Sequence, residues 1–580
     1  MLEPQWPPES DASADLPVWT RALVGDMLPE VVSPLGWTMV WEHCATLGWR
    51  DAMVRRMGFD EDEFSEMKPE TIGLIGGYGY LNASHLRVWA DRSPDLSVDH
   101  IDRILVNNGS PLPSHDRMGW HNPDAVAEGM LAQWYRWVME SRNQIELDTG
   151  HAESLACRNA RPDLAEMTDL ELVQRSMDLQ PLCRQLFEQH ANQTLASTIG
   201  PWVVTEICVE IGQPAHALRL LSGLGRVDSV SPTHALWDLS RMVRESTSLT
   251  RFFDKGVESL DRLIRHSNQP ETVAFMAGVD ALMLEVGFRG PNEWDLSSPT
   301  WDVAPDILFA LLDRLRHCEN DEGPRQRRAH LEADRARLVA EIAGALNGRQ
   351  QQRFLHGIGA STAFLRGREL SRTNVVRVIH EMRLPLRELA ARGARRYDFD
   401  SPDHLWMLTA DELAYYADGG LAEVASLSSK RRIQYEDLRD VTAPTSMIGS
   451  DDGWIPAPAG ALIQASGGGQ LEPGDVMLGS PGSPGMATGR ARVIETDADL
   501  NLVEPGDILI MSRPHLAATP LFVAAGAVVT DQGGSFTHAV VVARELGTPM
   551  VVGAYGASER IVTGSMVNVD GLTGVVSVAG

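Results

Sequence analysis

The sequence predicts an α+β multidomain protein, a largely helical central domain followed by a C-terminal β/α domain. Three observations carry this. The chain has 580 residues, beyond the roughly 250–300 at which a single core stops growing. From about residue 125 to 440, apolar side chains recur at the three-to-four spacing of helices packed on one face. From about 470 onward, short β-branched runs alternate with Gly- and Pro-containing turns, as in a buried sheet. We divide the chain into a Trp/Gly-rich N-terminal part (1–120), a helical domain (121–440), a linker or hinge (441–470) and the C-terminal domain (471–580).

Composition narrows the function classes. Hydrophobic residues make up 43% and charged residues 22%, ordinary for a soluble globular protein. No apolar run reaches the roughly 20 residues of a membrane span, and Met1-Leu-Glu-Pro-Gln-Trp-Pro-Pro-Glu9 lacks the basic and apolar regions of a signal peptide. The five cysteines (44, 157, 183, 208 and 318) are scattered without C-x-x-C spacing, which argues against a disulfide framework or zinc site and fits a reducing cytoplasm. No metal-ligating set is assigned. A net charge of −28 argues against nucleic acid or an anionic membrane as partner. Lysine occurs at three positions against 48 arginines, and none follows a glycine-rich loop, so a Walker P-loop is absent. Nor does any stretch have the size and pattern of an ATP-grasp nucleotide domain.

In chain order, the first part carries Trp19-Thr-Arg-Ala-Leu-Val-Gly25, Pro34-Leu-Gly-Trp37 and Gly76-Gly-Tyr-Gly-Tyr-Leu-Asn82. Helical spacing is clear over Ala125–Glu140, over Asp169–Asn192 with a break or kink at Pro181, and over Val257–Ser267. Gly287-Phe-Arg-Gly-Pro-Asn-Glu293-Trp-Asp295 through Trp301 reads as a loop from its Gly, Pro and Ser content. Arg366-Gly-Arg-Glu369-Leu-Ser-Arg372 through Arg383 and Arg387 reads as a basic helix face. Pro, Gly, Ser and Asp are in excess over 441–470, as expected of a hinge.

The most informative segment is Ala527-Val-Val-Thr-Asp-Gln-Gly-Gly-Ser-Phe-Thr-His538, followed by Ala539–Leu546, Gly547 and Pro549-Met-Val-Val-Gly553. It reads as a buried strand, a loop, a helix beginning just after His538, a glycine stop and a second strand. A histidine on a Gly-Gly loop at a helix N-terminus is well placed to hold a phosphoryl group. Gly533 and Gly534 let the backbone approach, and free N–H groups with the positive end of the helix dipole favour an anion. Ser535 and Thr537 can donate hydroxyl hydrogen bonds to its oxygens, and Arg544 is the nearest guanidinium in sequence.

This segment resembles the phosphohistidine swivel domain of the phosphoenolpyruvate-utilising enzymes. Gly479-Ser-Pro-Gly-Ser-Pro-Gly485, Thr488–Val493, Pro505-Gly-Asp-Ile-Leu-Ile510, Thr519-Pro-Leu-Phe522 and the hairpin Met566–Ser577 extend the resemblance over the last 110 residues. Many members carry a small hydroxyl residue two before the histidine, where Phe536 stands here; the hydroxyl is Thr537, as in the subgroup that includes rifampicin phosphotransferase. The Trp19 and Gly76 segments and the Gly287 loop resemble that subgroup too, with Phe288 where the family loop has a histidine.

The resemblance implies that His538 is phosphorylated by ATP with Mg²⁺, releasing AMP and phosphate, and passes the group to the hydroxyl of a small molecule. Only 18 residues precede the Trp19 motif, and the chain ends without the family's phosphoenolpyruvate-binding barrel. The layout is similar to the larger subunit of phenylphosphate synthase, so the expected partner is a separate ATP-grasp subunit. Arg289, Glu293, Arg372 and Arg383 are the expected acceptor-side residues. Two other functions remain open: a rifampicin-type antibiotic phosphotransferase with a split nucleotide domain, and a non-catalytic phosphocarrier or metabolite sensor.

Overall fold

The computed structural model describes every residue except 1–5, 7–8, 65–69, 94–95, 106–111, 320–322, 420, 451, 458–468, 514–515, 536 and 580. Two long helices form the axis of the helical region: Gln180–Glu210 and Gly348–Arg395. They pack tightly at Gly200, where a Cβ would lie 2.3 Å from the Ser361 backbone nitrogen. Any side chain there would push the axis apart.

Pro181 does not kink a longer helix. Asp169–Met177 ends, and Pro181 sits in the first turn of Gln180–Glu210, where its missing N–H has no intrahelical acceptor to lose. The expected helix Val257–Ser267 shortens to Leu260–Arg265, because Gly256 (φ +105°) and Ser259 (φ +57°) take left-handed conformations that interrupt the first turn. Ala125–Arg136 continues into a wider π-turn, Trp137–Ser141.

The N-terminal part forms a five-stranded antiparallel sheet. Its strands are β1 (Val18–Thr20), β2 (Ile72–Ile75), β3 (Tyr78–Asn82), β4 (Ser446–Ser450) and β5 (Gly453–Pro456), in the order β2-β3-β1-β4-β5. Two expected boundaries change here. Residues 446–456, placed in the linker by composition, pair as a hairpin with β1. The Trp/Gly-rich N-terminal part shares one continuous apolar core with the helices, running from Leu16 to Met447. Sheet edges and buried tryptophans such as Trp19, Trp41 and Trp89 leave no separate core for residues 1–120. The rest of the expected hinge, 458–468, lies outside the described residues.

The C-terminal domain is one eight-stranded sheet. Its strands are β6 (Val476–Leu478), β7 (Ser480–Ser483), β8 (Met486–Ile494), β9 (Ile508–Met511), β10 (Ala527–Thr530), β11 (Met550–Val552), β12 (Met566–Asp570) and β13 (Val575–Val578). The order is β6-β13-β12-β8-β9-β10-β11-β7, with β8 to β11 parallel. Residues of β9 to β11 are buried on both faces, which explains why their sequences are continuous apolar runs rather than alternating ones. Burying each such Val or Ile contributes roughly 1.5–3 kcal/mol.

The helix His538–Leu546 crosses from β10 to β11 and stops at Gly547 in the left-handed conformation (φ +68°). Its apolar face packs into a second core shared with residues 221–365 of the helical region. Glu545 locks that contact: its carboxylate accepts hydrogen bonds from the Leu224 (2.8 Å) and Gly225 (3.3 Å) backbone N–H groups. No described helix is long and apolar enough to cross a membrane.

Burial pushes the Glu545 carboxyl up to about 7. Its pKa is raised in the folded protein, so its contribution to stability is complete below the ordinary carboxylate range and is lost as pH rises through about 7. Glu545→Gln should remove this dependence. Wild type is expected to lose on the order of 3 kcal/mol relative to the variant between pH 4 and 8, read as diverging melting temperatures; parallel pH profiles would contradict it.

Candidate active site

His538 is the first residue of its helix, presented by the turn that follows β10. Gly533 takes φ +118°, a conformation open to glycine, and Asp531 braces the turn by accepting from the Ser558 backbone N–H (2.8 Å) and hydroxyl (2.5 Å). Ser535 Oγ donates to the Pro481 carbonyl at 3.2 Å, tying the loop to β7. Thr537 caps the helix with its backbone, while its fully buried hydroxyl has no hydrogen-bond partner among the described residues.

The imidazole is 8% exposed, and its Nδ1 lies 2.6 Å from Oε2 of Glu369, which is fully buried on the long helix Gly348–Arg395. The Ser229 hydroxyl donates to the same oxygen. Burial alone would raise the Glu369 carboxyl; the His538 imidazole, which stabilises the carboxylate by its hydrogen bond and by its charge when protonated, and then Arg368 and Arg372 hold it well below the usual carboxylate range. Burial is also the largest influence on His538, with Arg372 next; together they lower its pKa against the opposing pull of Glu369. The stable pair at neutral pH is therefore a carboxylate and a neutral imidazole. Glu369 accepts the Nδ1 proton, which leaves the Nε2 lone pair free for a phosphoryl group.

Opposite the imidazole stands a buried ion cluster. Glu293 pairs with Arg289 (2.9 Å) and Arg372 (2.6 Å); burial would raise its carboxyl, but these two guanidiniums hold it below its ordinary value. Arg289 also donates to Thr373 Oγ1 at 2.7 Å, and Thr373 in turn donates to Asp228. Arg289, Glu293, Arg372, Ser229 and His538 line one cavity of about 30 Å³, room for roughly one water.

The loop carrying Arg289 and Glu293 is held from below. Arg383 donates to the carbonyls of Glu293 (2.8 Å), Asp295 (2.8 Å) and Leu296 (3.1 Å). Arg387 takes those of Ser297 (2.8 Å) and Ser298 (2.7 Å). Phe288, buried where the resembling loop has a histidine, is flanked by the guanidiniums of Arg158, Arg289 and Arg377 at 5.5, 5.1 and 5.2 Å from its ring.

The structure thus brings together His538, Arg289, Glu293 and Arg372 and leaves two expected residues aside. Arg544, expected at the phosphoryl oxygens, donates instead to the Gly482 carbonyl of β7 at 2.7 Å. Six residues at about 100° each turn it well away from His538 on the helix. Arg383 lies eleven residues past Arg372, on the same face but about 16 Å further along, so it supports the loop from outside the cavity. Phe536 lies outside the described residues. Glu369, Ser229, Asp228 and Thr373 were not singled out from sequence. A signal for Glu369 existed: it is the acid embedded in Arg366-Gly-Arg-Glu-Leu-Ser-Arg372.

Residues 503–574 match the PEP-utilising enzyme mobile domain, and 189–369 match the rifampicin phosphotransferase fourth domain. The C-terminal domain belongs to the mobile-domain family of PEP-utilising enzymes. Among curated relatives, an uncharacterized protein of Mycobacterium tuberculosis (strain ATCC 25618 / H37Rv) is 31% identical over 351 residues, covering 60% of this chain and 36% of that protein. Chondramide synthase of Chondromyces crocatus is 30% identical over 586 residues, 95% of this chain and 14% of the synthase. A rifampicin phosphotransferase of Streptomyces sviceus is 27% identical over 349 residues, 59% of this chain and 39% of that enzyme. The chain therefore spans well under half the length of each of these relatives. The matched segments contain every residue of the His538 cavity named above but Arg372: the fourth-domain match ends on Glu369, three residues before it, and the mobile-domain match holds His538 itself.

If Glu369 fixes the imidazole, Glu369→Gln, which keeps shape but removes the charge, should slow discharge of a phosphoryl group from His538 to an acceptor by about 10²-fold or more. The melting temperature should change little by comparison. A discharge rate within twofold of wild type would show that the carboxylate only fills space.

Proposed function

We propose that this chain is a phosphotransferase that carries a phosphoryl group on His538 Nε2 and delivers it to the hydroxyl of a small molecule. The observation that carries the reading is the buried His538–Glu369 contact beside Arg289 and Arg372. It combines an oriented neutral nucleophile with cationic groups able to stabilise a transferring phosphoryl group. The donor in this reading is ATP held by an ATP-grasp protein. Mg²⁺ and ATP do not fit the His538 cavity itself: Glu293 and Glu369 are committed to guanidinium and imidazole partners, and about 30 Å³ admits no nucleotide. Charging therefore takes place elsewhere, with residues 471–580 moving as a unit between donor and acceptor.

On the acceptor side we place the substrate in a cavity of about 730 Å³ lined by Leu147, His151, Asp228, His234, Arg366 and Leu370. It shares the segment Val227–His234 with the His538 cavity: Asp228 and Ser231 line the larger one, Ser229 and Thr233 the smaller. Asp228, linked through Thr373 to Arg289, is the base of this proposal. The acceptor hydroxyl gives its proton to the carboxylate as the O–P bond forms and the N–P bond breaks, and His538 returns to the neutral form that donates from Nδ1 to Glu369. A rifampicin-type acceptor is the second reading, favoured by the fourth-domain match over 189–369, which includes Asp228 and Glu293.

Mass spectrometry after incubation with an ATP-grasp partner, Mg²⁺ and ATP should locate an acid-labile phosphate on His538, absent in His538→Ala. Asp228→Asn should leave that phosphate in place and slow its discharge to an acceptor by about 10²–10⁴-fold. Labelling of His538→Ala would overturn the carrier assignment; unimpaired discharge in Asp228→Asn would overturn the base.

Spin labels at Glu341→Cys and Thr573→Cys, one on each side of the shared core, should report more than one distance in solution. A single narrow distance, unchanged by donor or acceptor, would leave His538 serving one site and remove the relay.

A further inference from the structure

The helix Ala83–Arg92 carries Asp91 in its last turn, and the irregular segment 112–118 with the short turn Gly119–His121 folds back across that end. Two histidines from this strap converge on one carboxylate oxygen. His115 Nε2 lies 2.7 Å and His121 Nδ1 2.9 Å from Asp91 Oδ2. The two imidazoles are nearly parallel, 10° apart with centroids 5.4 Å from each other. All three donor atoms lie within 4.8 Å of one another.

The hydrogen bonding of His121 is inconsistent with a plain ion pair. Its Nδ1 also lies 3.2 Å from the Met118 backbone N–H. If Nδ1 is unprotonated and accepts that N–H, its lone pair faces a carboxylate oxygen at 2.9 Å with no hydrogen between them. If Nδ1 carries a proton toward Asp91, the Met118 N–H loses its acceptor. On the far side of the ring, Nε2 is buried, and no described residue bonds to it. Burying two imidazoles and a carboxylate in so unsatisfied an arrangement is costly unless a cation completes it.

We propose that Asp91, His115 and His121 bind one divalent transition-metal ion of the zinc class. Two imidazoles and one carboxylate are a common donor set for such ions, at roughly 2.0–2.2 Å from each donor with a solvent molecule in the fourth position. A tetrahedral ion of that size needs its donors roughly 3.3 Å apart. Side-chain rotations at Asp91 and the partly exposed His115 that open the two short edges by about half an ångström and bring the two imidazole donors, now within 4.8 Å, to the same spacing would meet that need. The ion pins the strap 112–121 to the helix end, beside Arg92, which already holds the carbonyls of Gly58 (2.6 Å) and Trp120 (3.3 Å). The sequence spacing gives little sign of it: His115 and His121 are separated by a loop, and Asp91 belongs to the preceding helix.

The test uses the full-length chain stripped with a chelator and re-equilibrated with Zn²⁺ or Co²⁺ alone. We expect one equivalent of either metal to survive gel filtration, Co²⁺ to show the visible absorption of a four- or five-coordinate ion, and Zn²⁺ to raise the melting temperature. His115→Gln and Asp91→Asn should each weaken Co²⁺ binding at least tenfold and abolish the Zn²⁺-dependent rise in melting temperature. His115 is the most exposed of the three, so its variant is the one expected to fold. Failure of the wild-type chain to retain a metal would overturn the proposal in favour of a hydrogen-bonded Asp–His cluster. Full retention by His115→Gln or Asp91→Asn would place the ion elsewhere.

Discussion

The contact on which the site depends is a single short hydrogen bond between two domains, His538 Nδ1 to Glu369 Oε2 at 2.6 Å. An isolated carboxylate buried to this extent would take up a proton. It stays ionised because the imidazole, Arg368 and Arg372 stabilise it, while burial, and then Arg372, keeps the imidazole neutral. The carboxylate accepts from Nδ1 of the neutral ring, which leaves Nε2 as the nitrogen with a free lone pair.

Arginine rather than lysine makes this possible. Arg383 serves three carbonyls of one loop and Arg387 two more, so five backbone acceptors of residues 293–298 are satisfied by two side chains. A lysine is a point donor and lacks the planar fork that spans successive carbonyls. The loop is thereby rigid enough to hold Arg289 and Glu293 in fixed positions. Asp295 extends the brace into the N-terminal sheet region by accepting from the Ser33 backbone N–H at 2.9 Å and hydroxyl at 2.7 Å. Loop, long helix and N-terminal part therefore behave as one body.

Much of this was legible in the sequence, and for identifiable reasons. The strand–loop–helix around His538 follows from short-range signals: a β-branched run, a glycine turn and a glycine stop. The helix boundaries at Pro181 and Ser259 were less legible, because a proline reads the same way at a kink and at a first turn, and Ser259 gives no compositional sign of φ +57°. The hairpin 446–456 was hidden by its loop-like composition; its pairing with Val18–Thr20 is a contact between positions more than 400 residues apart. Arg544 was misplaced because adjacency in sequence was taken for adjacency in space. Glu369 was passed over for the converse reason. Its partner is 169 residues away, and among arginines it reads as one more surface ion pair.

The charge balance of the cavity bears on how a carrier leaves it. Glu293 and Glu369 are matched by Arg289 and Arg372, so the site with neutral His538 is close to electroneutral. A phosphoryl group on Nε2 adds roughly −1.5 to −2 charges to a space of about 30 Å³. It cannot be accommodated without displacing something, and the groups available to meet it are the two guanidiniums now bonded to Glu293. Those arginines would exchange a carboxylate partner for a phosphoryl one, which is favourable only while the phosphoryl group is present. On that proposal the Glu293 pairs would re-form after transfer and restore the closed, balanced cavity seen here. In the proposed relay the compact state would be the resting form of the discharged histidine, with opening coupled to charge through the ion pairs of a single glutamate.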